Sequence, residues 1–109
     1  MSAETKTEQV AADLRAAADV LERGGWAQGD YVTDDGCRCA IGALVVVCGG
    51  SAGESTVPFD DLPRLRTLMG AVERQTGIPR WDIDAWNDEP GRTAAEVIAT
   101  LRAAAEATS

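Results

Sequence analysis

A chain of 109 residues, 45% hydrophobic and 26% charged, has room for one hydrophobic core, and its net charge of −8 opposes gripping nucleic acid through its phosphates. It has no histidine, which excludes a Ser-His-acid triad, and no run approaches the roughly 18 apolar residues of a membrane span. Nineteen alanines and few aromatics imply close helix-on-helix packing, and nine arginines against the single Lys6 indicate a GC-rich coding bias.

The polar start, Met1 to Glu8, lacks the apolar stretch of a secretory signal, so a cytoplasmic protein with reduced cysteines is expected. Residues 1–6 are expected to be disordered. From Thr7, a fitting N-cap, the pattern turns helical, with Val10, Leu14, Ala17, Ala18 and Leu21 on one stripe. Asp13, Arg15, Asp19, Glu22 and Arg23 fall on the opposite, solvent side, and Gly24-Gly25 ends the helix.

Trp26 to Thr33 reads as an extended connection. Tyr31-Val32-Thr33 has strand character and Asp35-Gly36 is a tight-turn signal, so a short hairpin pairing Tyr31–Thr33 with Cys37–Cys39 is expected. The uncharged run Cys39 to Cys48 fits a buried helix or a buried strand, since periodicity does not separate them over ten residues. Helical neighbours favour a central buried helix, ended by Gly49-Gly50 and followed by a loop over 51–57. A third helix is expected from Asp60 or Asp61 to Gln75, with Pro63 in its first turn, Leu62, Leu65, Leu68, Met69 and Val72 facing the core, and Gly77 past its end. Residues 78–91 read as loop or one short helical turn. Thr93-Ala-Ala-Glu96 is a capping-box pattern opening a last helix that runs out over Ala103–Ala107. The fold expected is mainly α: one domain over 1–109, a bundle of about four helices around a buried central helix, with a small hairpin between the first two.

Cys37, Cys39 and Cys48 do not make a metal site. Zinc normally takes four ligands, and on a helix Cys39 and Cys48 lie about 900° apart, on opposite faces. Cys37 or Cys39, beside Arg38 and near a helix start, has features of a reactive thiol, but Asp34 and Asp35 oppose a thiolate and buried, inert cysteine is the commoner case. The paired carboxylates Asp34/Asp35, Asp60/Asp61, Asp82/Asp84 and Asp88/Glu89 are accounted for by turns and caps. Gly49-Gly50-Ser51-Ala52-Gly53 lacks the lysine of a phosphate loop. No catalytic residue, metal or cofactor is assigned.

The densest stretch is Trp86-Asn87-Asp88-Glu89-Pro90-Gly91-Arg92-Thr93. It reads as a lock onto the last helix, and also as a surface for a ligand or partner. Gly25-Trp26-x-Gln28-Gly29, Cys39-Ala40-x-Gly42-Ala43-Leu44 and Trp86-Asn87-Asp88-x-Pro90-Gly91-Arg92-Thr93-x-x-Glu96-Val97 together resemble a family of small uncharacterised proteins from actinobacteria and their phages. The resemblance covers about residues 9–105. That family usually carries cysteine after the first tryptophan, where this chain has Ala27, and it brings no activity with it.

The leading expectation is a non-enzymatic protein-interaction or regulatory protein, phage-encoded and acting on a host protein if the resemblance extends that far. Trp26, Tyr31, Trp81, Trp86, Asn87, Asp88 and Arg92 are its candidate binding residues, because tryptophan and arginine anchor interfaces. Two alternatives stand beside it: a small-molecule binder or minor enzyme using the Trp86–Arg92 loop, and an acidic mimic of nucleic acid. The expected partner is a protein, with neither nucleic acid nor membrane bound directly, and the apolar central helix leaves room for a homodimer.

Overall fold

The structure is a computed structural model, and it describes residues 2–29, 33–49 and 62–108. Tyr31 and Val32 of the expected hairpin, the 51–57 loop and the cap residues Asp60 and Asp61 lie outside the described residues. Among the described residues there are five α-helices: α1 (Ser2–Gly24), α2 (Ala40–Val47), α3 (Leu62–Thr76), α4 (Ile83–Asn87) and α5 (Ala94–Thr108). A 3-10 turn, Arg80–Asp82, leads directly into α4. No described helix is long and apolar enough to cross a membrane.

The apolar stripe of α1 is buried as its spacing requires, with Leu14, Ala17 and Ala18 at 0% exposure. The helix begins at Ser2, ahead of the start expected at Thr7. Its most extensive packing is against α5, where Val97, Leu101, Ala104 and Ala105 are buried; α1 also packs on α2 and α3. Small side chains bring two such helices close together, and fully burying each Leu or Val side chain is worth about 1.5–3 kcal/mol.

Asp13 does not lie on the solvent side of α1. It is 5% exposed, and Arg64 of α3 grips it with Nε at 2.9 Å and Nη2 at 2.7 Å. The helical period places Asp13 at the edge of the buried stripe, and a forked guanidinium from another helix makes the burial tolerable.

The uncharged run is a helix. Ala40, Gly42, Ala43, Leu44 and Val45 are buried, and α2 packs on α1, α3 and α4. Cys39 is its N-cap, accepting a hydrogen bond from the Gly42 N–H at 3.3 Å, and Cys48 is its C-cap. Other helix ends follow the sequence signals. Thr93 and Glu96 close a reciprocal capping box: Glu96 Oε1 accepts from the Thr93 N–H at 3.1 Å, and Thr93 Oγ1 accepts from the Glu96 N–H at 3.2 Å. Gly77, at φ 78°, takes the left-handed conformation after α3.

The bundle of about four helices and the hairpin need correction. Within 78–91, read as loop or one short helical turn, residues 80–87 take the helical alternative at greater length, a 3-10 turn and then α4, and no strand is found among the described residues. The Asp35-Gly36 signal does produce a turn, in which the Gly36 N–H donates to Thr33 O at 2.9 Å and the Thr33 N–H to Cys37 O at 2.8 Å. Beyond it, the backbone groups of Arg38 are engaged by Gly25 and Ala27. Arg38 forms an isolated parallel bridge with Trp26, in which its N–H donates to Gly25 O at 3.0 Å and its carbonyl accepts from the Ala27 N–H at 3.0 Å. Parallel pairing needs a crossover rather than a tight turn. The bridge lays the first motif beside the start of α2.

Candidate functional site

The site is built where Trp26, the start of α2 and the end of α4 converge. Asn87, the last residue of α4, is 0% exposed. Its carboxamide oxygen accepts from Trp26 Nε1 at 2.7 Å and from the Ala40 N–H at 3.0 Å. Its amide nitrogen donates to Ala27 O and to Asp88 Oδ1, each at 3.0 Å. A primary amide has two donors and room for two acceptances, so every polar valence of Asn87 is filled from within the chain.

The neighbouring residues repeat this inward commitment. Gln28 Nε2 donates to Asn87 O at 3.1 Å and Glu89 O at 3.0 Å, satisfying the last carbonyl of α4 and one just beyond it. Asp88 Oδ1 also accepts from the Gly29 N–H at 2.9 Å. Gly25, at φ 97°, allows the approach: a Cβ there would stand 2.6 Å from Cys37 Sγ. Three stretches far apart in sequence are thus held as one junction, Gly25–Gly29, Cys37–Ala40 and Asn87–Glu89.

Arg92 secures the next turn. Its guanidinium lies 4.6 Å from the Trp86 ring centroid, Nε donates to Trp86 O at 3.0 Å, and Nη2 and Nη1 pair with Glu89 at 2.9 Å and Glu96 at 3.2 Å. The cation over an indole face, flanked by two carboxylates, fixes the short connection between α4 and α5.

Of the residues singled out from sequence, Trp26, Asn87 and Asp88 come together in the junction and Trp86 and Arg92 adjoin it. Tyr31 lies outside the described residues. Trp81 stands apart: it is 75% exposed, in the 3-10 turn just ahead of α4. Sequence reading missed Gln28 as a contributor, although the first motif contains it, and it missed Ala40, whose role is its backbone N–H alone.

On the outer side of α4 lies an open groove of about 530 Å3, lined by Ile78, Asp82, Ala85, Trp86, Asp88, Glu89 and Pro90. Its lining combines apolar Ile78, Ala85, Trp86 and Pro90 with three carboxylates, and Trp81 is adjacent in the chain to Asp82. Cys37, Cys39 and Cys48 form no disulfide. Cys39 is 5% exposed, and burial pushes its thiol up, away from the thiolate that nucleophilic chemistry requires; Asp84 and Asp88 add to the rise, while the Gly42 and Ile41 N–H groups act against it. Among the described residues no cluster of three or more Cys, Asp or Glu is placed to hold a metal ion.

A model described as a family of unknown function, DUF6197, matches residues 5–107, and the chain belongs to that family. No curated protein and no solved structure matches it.

Proposed function

We propose that this DUF6197 protein is a non-enzymatic interaction or regulatory protein, encoded by an actinobacterium or one of its phages and acting on a protein in the bacterial cytoplasm. Its binding face, on this reading, is the outer side of α4 with Trp81. The observation that carries the reading is Trp81 at 75% exposure, next in the chain to Asp82 of a groove that Trp86 and Pro90 also line. A tryptophan held in water forgoes a large hydrophobic gain, and it is the side chain that most often anchors an interface. The junction supports this from the other side. With the valences of Asn87 filled internally and Arg92 engaged by three partners, these motif residues have little left to give a ligand.

Affinity capture from a lysate of the source organism tests the reading, with wild type compared to Trp81→Ala. A protein retained by wild type and lost from the variant is then purified, and its binding is measured directly. The expected result is at least tenfold weaker direct binding by Trp81→Ala with an unchanged melting temperature. Equal binding by both proteins counts against this face.

A further inference from the structure

Building on that interaction reading, we infer that the groove receives a basic segment of the partner protein, with an arginine or lysine side chain laid on Trp86 among the groove's carboxylates. Charge complementarity is the first argument. Residues 78–92 carry Asp82, Asp84, Asp88 and Glu89 against Arg80 and Arg92. Both cations are already engaged: Arg80 Nε faces Glu73 at 4.0 Å, and Arg92 is held between Glu89 and Glu96. Among the described residues neither Asp82 nor Asp88 forms an ion pair with a cation, and both line the groove.

The second argument is that the chain contains its own example of the contact. Arg92 lies over Trp86 at 4.6 Å with carboxylates on its guanidinium nitrogens. The groove's lining holds the same two ingredients for a cation arriving from outside, Trp86 and the carboxylates of Asp82 and Asp88. Other occupants fit less well. Phosphates are repelled by Asp82 and Asp88, and an apolar helix would strip water from these carboxylates with nothing in return. A long basic side chain satisfies both parts, its methylenes on Trp86 and Pro90 and its charged head at the carboxylates.

The probe is a capped hexapeptide of alternating arginine and glycine, compared with lysine, serine and glutamate counterparts. Binding is followed by fluorescence and by the indole N–H signals in NMR. The arginine and lysine peptides are expected to shift the Trp81 and Trp86 signals, leaving Trp26, whose N–H is locked to Asn87, in place. Their affinity should fall several-fold between 50 and 300 mM salt. Asp82→Lys should weaken binding about tenfold, while Glu8→Lys, the same charge reversal on α1, should weaken it less than twofold. Thermal melting confirms that both variants fold. Equal loss from the two reversals would reduce the effect to net charge and overturn the inference, as would equal binding of the glutamate peptide. A partner captured through Trp81 while all four peptides fail to bind would overturn the inference and leave the interaction reading standing.

Discussion

Asn87 and Trp81 belong to the same short helical stretch and are used in opposite ways. Asn87 is fully buried and spends both lone pairs and both N–H groups on its own chain, whereas Trp81 leaves three quarters of its surface in water. The difference separates residues that hold the fold from residues free to meet something else. A motif dense in tryptophan, asparagine, aspartate and arginine looks like a binding loop. Here Asn87 and Arg92 are committed within the chain, while Trp86, Asp88, Glu89 and Pro90 of the same motif line the groove of the proposed binding face.

The sharpest way to break this contrast is at Asn87. Asn87→Ala strands the Trp26 indole N–H, the Ala40 N–H and the Ala27 carbonyl together. Each buried group left unpaired costs about 1–3 kcal/mol, so a loss of about 3–5 kcal/mol in chemical denaturation is expected. A loss below about 1 kcal/mol would mean that water replaces the amide readily and that the junction is not a lock. Gly25→Ala comes next. It forces a left-handed φ on a residue with a side chain and drives Cβ against Cys37 Sγ, so about 2 kcal/mol should be lost, read in the same titration.

These residues also mark how much of the molecule was legible beforehand. Local signals were readable because their physics is local. Thr93 and Glu96 cap α5, Gly77 follows α3, Asp35-Gly36 turns, and the 3.6-residue stripe of α1 is buried. The pairing of Trp26 with Asn87 was not readable, since 61 residues separate them and nothing in either stretch names its partner. Asp13 was misplaced for the same reason, because the Arg64 that makes its burial tolerable arrives from another helix. Of the hairpin, the described residues keep the turn and no strand, because turn chemistry specifies a reversal and not the strand that follows it. Arg38 found its hydrogen bonds with Gly25 and Ala27 instead.

Cys39 provides a smaller test on the inward side. Its thiol is raised by burial above the ordinary 9.0, so the folded state holds this proton after the unfolded chain has released it. Stability from this group is intact below about pH 9 and declines as pH rises toward the folded value. Cys39→Ser keeps an N-cap oxygen for the Gly42 N–H and removes the titration. Its stability should therefore fall less steeply than wild type between pH 8.5 and 10.5. Parallel curves would show that Cys39 does not contribute to the alkaline loss. Thiol labelling at neutral pH should meanwhile reach the part-exposed Cys37 before Cys39.

The smallest expected change in stability is at Trp81, and it makes the comparison sharpest. At 75% exposure the side chain has little burial to lose, so Trp81→Ala should alter unfolding free energy by no more than about 0.5 kcal/mol. If it destabilises the protein by 2 kcal/mol or more, the ring is packed in solution and the outer face loses its anchor. If stability holds while partner binding falls tenfold, the two ends of one short helical stretch have been separated experimentally. Asn87 would then be the residue that folding cannot lose, and Trp81 the one that recognition cannot.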